Sequence, residues 1–195
     1  MPKLNREYKK GGAHRDARLF VIVAEGDRED EYFTHFNSLS QRIRILPIPR
    51  EEGASAPKHF ISRLQTAIKN GDYDPDDSDQ IWFVCDTDRW KGQLGELITD
   101  CKRHPNWQAA ISNPCFEVWL HYHSGPVNAE KVSCSHLKTT LAQSSLGSFS
   151  PKEYCAAIED AICHAEKADL TPNNEMPIMM QTKLYRLAKE MRQFI

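Results

Sequence analysis

The chain has 195 residues, of which 40% are hydrophobic and 27% charged, with a formal net charge of −2. That suits one domain with a sizeable core and does not announce a polycation for nucleic acid, although an acidic site can offset a basic groove elsewhere. No apolar stretch approaches the roughly 20 residues of a membrane span, Met1 to Gly12 lacks the apolar centre of a signal peptide, and six scattered cysteines without a C-x-x-C pair read as reduced thiols, so a cytoplasmic protein is expected.

Residues 1–16 read as a flexible basic arm. Leu19 to Ala24 is short and wholly apolar, the pattern of a central parallel strand. Gly26 permits a tight turn, and Asp27 can cap a helix carrying Tyr32, Phe33, Phe36 and Leu39 on one face. Ile43 to Ile48 reads as a second strand, stopped by Pro47 and Pro49. A helix starting near Ser55 and Pro57 turns Phe60, Leu64, Ala67 and Ile68 inward. Ile81 to Cys85 is a third strand, Gln93 to His104 a helix, and Trp107 to Ser112 a fourth strand. Asn113-Pro114 then offers an N-cap and a first helical proline for a helix running to Gly125. Beyond it come a short helix over Leu137 to Leu141, a serine-rich loop, and the capping box Ser150-Pro151-Lys152-Glu153 leading a helix with Tyr154, Ile158, Ala161 and Ile162. A last helix spans Met179 to Phe194. The alternation predicts a three-layer α/β core over 17–125 with a mostly parallel four-stranded sheet, and a helical C-terminal third over 126–195 packed on it.

Two acidic motifs stand at the ends of apolar strands: Glu25-Gly26 after the first, and Asp86-Thr87-Asp88 after the third. In an open α/β sheet the C-terminal strand ends are where ligands bind. If the first and third strands are neighbours, Glu25, Asp86 and Asp88 converge there. Carboxylates that close raise one another's pKa unless a cation is present. Mg²⁺, or Mn²⁺ in its place, is held by such oxygen ligands while water and substrate phosphate complete its shell. Glu25 can alternatively act as a general acid or base. The bland reading of each aspartate is a helix cap or turn former.

The segment Val21-Ile22-Val23-Ala24-Glu25-Gly26-Asp27-Arg28-Glu29-Asp30-Glu31-Tyr32-Phe33 resembles the E-G-x-x-x-E-x-x-Y-F opening of the RloB-like proteins. Val84-Cys85-Asp86-Thr87-Asp88-Arg89-Trp90 is similar to their F-D-x-D segment, and Ser112-Asn113-Pro114-Cys115-Phe116-Glu117-Val118-Trp119-Leu120 to their S-N-P-C-F-E-x-W-L block. Asn174 to Leu187 is only loosely similar to their closing N-P-x-T-x-V-x-x-L segment, and Met176-Pro177 departs from it. E-G and D-x-D at strand ends also resemble the Toprim signature of topoisomerases, primases and OLD nucleases. The resemblance implies a Toprim-like core with Glu25 as general acid/base or metal ligand and Asp86 and Asp88 as metal ligands. Glu29, one turn on, is either an outer ligand or a solvated glutamate at a helix start.

The third block bears on the same sheet edge. A helix starting at Asn113 would point its positive end at the carboxylates and attract phosphate. Glu117, in an apolar stretch, either faces solvent or has a partner, and its position suits a second-metal ligand or an orienting group. His121, on the same helical face, either contacts substrate or pairs with Glu117. Lys91 and Arg89 either neutralise charge on a phosphate or are ordinary exposed cations. Cys134, His136, Cys155, Cys163 and His164 match no zinc spacing. Cys155 and Cys163 read as core filler on one helix face, and the tryptophans as core.

The expectation is a Mg²⁺-dependent phosphodiesterase acting on DNA or RNA, with catalytic Glu25, Asp86, Asp88 and Glu117, Glu29 completing the metal set, and Asn113, Lys91 and His121 meeting substrate phosphate. The resemblance further implies an anti-phage defence role beside an ATPase supplied in trans, which fits the absence of a P-loop motif here. The alternatives are a metal-dependent nucleic-acid or nucleotide binding module without cleavage, and primase-like nucleotidyl transfer. The oligomeric state is not readable.

Overall fold

The computed structural model of the protein describes residues 17–50, 53, 55–88, 90–128 and 132–195. The basic arm and Arg89 lie outside the described residues. Leu19 to Ala24 do form the central strand: β1 spans Arg18–Ala24, and the five residues from Phe20 to Ala24 have no accessible surface. An all-apolar strand needs cover on both faces, and the fold supplies it. Phe20, Ile22 and Ala24 enter one apolar cluster, while Leu19, Val21 and Val23 enter another on the opposite face.

The sheet has five strands in the order β2-β1-β3-β4-β5. β2 (Ile43–Pro47), β1, β3 (Gln80–Asp86) and β4 (Trp107–Asn113) run parallel, each to its neighbour. The fifth strand was not expected: β5 (Gln181–Thr182) pairs antiparallel with the end of β4, so the sheet is mixed. It lies inside the segment read as a single last helix. That helix, α8, starts only at Leu184 and ends at Arg192. Met180, just before β5, has a left-handed φ of 64°. A methionine there is strained, and its carbonyl is held by the Tyr122 hydroxyl at 2.9 Å.

Helices α1 (Asp27–Thr34), α4 (Glu117–Tyr122), α5 (Cys134–Leu141), α6 (Pro151–Ala156), α7 (Ile158–Ala168) and α8 bury their apolar faces on one side of the sheet. Helices α2 (Phe60–Asn70) and α3 (Leu94–Cys101) cover the other. The helices after residue 126 therefore share one apolar cluster with α1 and α4. Two inward expectations fail. Leu39 lies beyond a 3-10 turn at His35–Ser38 and is exposed, and Ile68 is on the outer side of α2. Cys163 is also exposed, because the expected single helix breaks at Ala157 into α6 and α7 and turns it away from Cys155. Ser150 occupies the N-cap position of α6, but its side chain makes no capping bond. α2 ends at Gly71 with φ 80°, where its N–H closes on Ala67 and Ile68 carbonyls and only glycine fits without strain.

Two polar devices hold the strand ends. Arg63 of α2, itself buried, donates to the Ala24, Ile48 and Pro49 carbonyls at 2.8, 2.7 and 3.1 Å, gathering the C-terminal ends of β1 and β2. At the outer edge, Asn37 pairs both backbone groups of Ile45: its Nδ2 donates to the carbonyl at 3.0 Å and its Oδ1 accepts from the N–H at 2.6 Å. No described helix is long and apolar enough to cross a membrane.

Candidate carboxylate site at the C-terminal sheet edge

β1 and β3 are neighbours, with Ala24 in register with Val84, so their acidic ends meet. Glu25 reaches across: its Oε1 accepts from the Asp86 backbone N–H at 2.9 Å, and its Oε2 accepts from the Trp90 indole N–H at 2.9 Å. Trp90, read in sequence as core, is half-buried and positions this carboxylate.

The glycine after Glu25 has a steric reason. Its backbone is extended (φ −131°, ψ 163°), which any residue adopts, but a Cβ there would stand 2.5 Å from Oε2 of Glu29. Glu29 folds back over Gly26 from the third position of α1. It is 6% exposed, which overturns the solvated reading and puts it beside the site.

The β3 and β4 ends are stitched together. The Thr87 N–H donates to the Ser112 and Pro114 carbonyls at 3.0 and 3.1 Å, and the Asp88 N–H to Pro114 at 3.1 Å. The Asn113–Pro114 peptide is cis. Asn113 does not cap a helix. It is the last residue of β4, its Oδ1 accepts from the Thr87 hydroxyl at 2.8 Å, and its Nδ2 donates to the Pro177 carbonyl at 3.0 Å. The helix begins at Glu117 instead, so the phosphate-attracting helix start expected at Asn113 is absent, and the Asn113 amide is engaged in holding strands and the C-terminal segment.

Glu117 is buried and does have a partner. Its Oε1 accepts from the Arg28 guanidinium at 2.8 Å, and the Lys138 ammonium of α5 stands 3.9 Å away. Arg28 itself lies over the Phe149 ring, 5.5 Å from its centroid. His121 does not pair with Glu117: its Nε2 meets the Leu137 carbonyl at 3.0 Å. His123 is a core histidine between the Tyr32 hydroxyl and the Trp119 carbonyl, at 3.0 and 2.9 Å, and burial lowers its pKa to about 4. Lys91 is exposed.

Five carboxylates thus interact at one edge: Glu25, Glu29, Asp86, Asp88 and Glu117. Burial pushes Glu25 up to about 7, against the pull of the Asp86 N–H and the Trp90 indole, and Glu29 and Asp88 push the same way. Burial likewise takes Glu29 to about 7, with its own N–H opposing and Glu117 and Asp30 adding. Asp86 is raised well above the carboxylate range, first by burial and then by Glu29, Glu25, Glu117 and Asp88. Asp86 is half-buried, whereas Asp88 is exposed.

All of these groups offer hard oxygen donors, the kind Mg²⁺ or Mn²⁺ prefers. Asp86, with Asp88 and Glu25, fits the group best, because Glu117 is already ion-paired. Among the described residues, no group of three His, Cys, Asp or Glu side chains is placed to hold a metal ion as the site stands.

Fold and site together describe an α/β protein with an acidic ligand edge at its parallel strand ends. The RloB-like protein family model matches residues 20–191, and the chain belongs to that family. The match runs through the C-terminal helices, whose own motif departs from the family pattern. Searches among curated proteins and among solved structures found no match.

Proposed function

We propose that the protein is a Mg²⁺- or Mn²⁺-dependent phosphodiesterase acting on nucleic acid, with a Toprim-type core. The observation that carries this reading is the convergence of Glu25, Glu29, Asp86, Asp88 and Glu117 at one sheet edge, with Glu25 hydrogen-bonded to Asp86 across the β1–β3 junction. A bound divalent cation supplies the Lewis acidity that polarises a scissile phosphate. Asp86 and Asp88 would hold it from the end of β3, with Glu25 beside them. Glu25 would serve as a further metal ligand or as the proton-transfer group, with its two oxygens oriented by the Asp86 N–H and the Trp90 indole. Arg28 and Lys138, drawn in by Glu117, place positive charge at the rim, where a phosphate backbone would pass. A role in anti-phage defence with an ATPase supplied in trans is proposed with it, on the family resemblance.

The test is cleavage of single- and double-stranded DNA and RNA with and without Mg²⁺ or Mn²⁺. Asp86→Asn is expected to abolish metal-dependent cleavage while the circular dichroism spectrum stays that of the wild type. Equal rates in the two proteins would remove the assignment. The second reading is a module that binds nucleic acid through metal without cutting it. Metal-dependent binding with no product would establish that reading. Nucleotide incorporation into a primer would establish primase-like transfer instead.

A further inference from the structure

Beside α4 and α5 lies an open cavity of about 440 Å³ that the carboxylate chemistry does not use. That volume is in the range of small-molecule sites, about 300–1,000 Å³. Its wall begins with His121, one helical turn past Glu117, and continues through Leu137 and Thr140 of α5. Residue 138, between these two, is the lysine that reaches Glu117. Cavity and carboxylate edge therefore share the α4–α5 pair.

The two compartments differ in chemistry. None of the described residues lining the cavity is Asp, Glu, Lys or Arg. Its polar groups are hydroxyls and imidazoles, those of Ser124, Thr140, His121 and His136 among them. The Ser124 hydroxyl is buried with no hydrogen-bond partner among the described residues. Met180, the strained left-handed residue whose carbonyl Tyr122 holds, also lines it. A thioether is a polarisable surface against which an aromatic ring packs well.

A ligand that fits both compartments is anionic at one end and neutral, flat and rich in hydrogen-bonding groups at the other. We propose that this cavity takes one nucleobase of the substrate strand, unstacked from its neighbours, while the adjoining phosphate lies at the carboxylate edge when a divalent cation is bound. It rests on the nucleic-acid reading above. Unstacked bases are commonly read this way, by packing against side chains and by hydrogen bonds to their edges.

The probe is the set of neutral ribonucleosides adenosine, cytidine, guanosine and uridine, in EDTA, observed by saturation-transfer NMR. At least one is expected to bind with its base protons most strongly saturated. Two variants fill the space, Thr140→Phe in the wall and Ser145→Trp at the exposed rim. Each is expected to weaken that binding about tenfold, the scale of one lost stacking contact. Asp86→Asn should leave it unchanged. No saturation of any nucleoside, or equal saturation in both filled variants when they are folded, would overturn the proposal. Base binding lost in the filled variants, with no cleavage by the wild type, would leave the cavity assignment standing and remove only the nuclease reading.

Discussion

Two of the places where the molecule buries charge treat it in opposite ways. In the C-terminal part, Asp169 at the end of α7 meets Lys183, which has no exposed surface. The ammonium donates to Asp169 at 2.5 Å and to the Thr171 carbonyl at 2.7 Å, and the Tyr185 hydroxyl adds a bond to Asp169 at 2.8 Å. Burial pushes the Asp169 carboxyl up, but Lys183, the Thr171 N–H and Tyr185 outweigh it and hold it below its ordinary value. At the sheet edge, Glu25, Glu29 and Asp86 are raised because burial and neighbouring carboxylates act without an equal cation. A buried charge with its partners in place is structure. A buried group of like charges without them is costly to ionise.

Substitutions at the two places should therefore change stability with opposite sign. Lys183→Met leaves Asp169 buried and unpaired, and a loss of about 3–5 kcal/mol is expected in denaturant unfolding. A loss under about 1 kcal/mol would mean the pair is not the latch described.

Glu29→Gln should do the reverse. The folded-state pKa of Glu29, near 7, lies above its ordinary 4.5. The cost of ionising it is absent below pH 4.5, grows as pH rises to 7 and is complete above. In EDTA at pH 8 the variant should be more stable than wild type by about 1–3 kcal/mol, with no difference at pH 4. Mg²⁺ or Mn²⁺ should raise the wild-type Tm at pH 8 and so close that gap. A variant less stable than wild type at pH 8 in EDTA would break the contrast.

Trp90→Phe removes one hydrogen bond from Glu25, and about 1 kcal/mol, a fivefold slower cleavage, is expected with unfolding unchanged. The smallest effect tests local wiring. Ser133 caps α5 by accepting from the His136 N–H at 3.2 Å, so Ser133→Ala should cost about 0.5–1 kcal/mol. Ser150→Ala, at a cap position without the bond, should be nearly neutral in the same melts.

Most of the sheet was legible because β1 and β3 are apolar runs and β2 and β4 are short, largely apolar segments bounded by turn residues. β5 was not, since Gln181-Thr182 has no pattern and gains its place from pairing with Asn113 and Ser112, about 70 residues away. Asn113-Pro114 carries a helix-start signal that tertiary bonds to Thr87 and Pro177 override. The carboxylates were legible as strand-end residues. Their partners were not, because Trp90, Arg28 and Lys138 reach them only through the fold. Glu29 had an unused signal: a glutamate three residues after the glycine N-cap is placed to fold back on the helix start.

The Asn37 clamp on Ile45 has a consequence for assembly. An open sheet edge invites a second chain to add a strand. Here one outer residue of β2 has both backbone groups taken, and Pro47, two residues on, has no N–H to offer. The sheet is thus finished within a single molecule on that side. A partner, whether a copy of this chain or an ATPase, would have to be met there by side chains rather than by another strand.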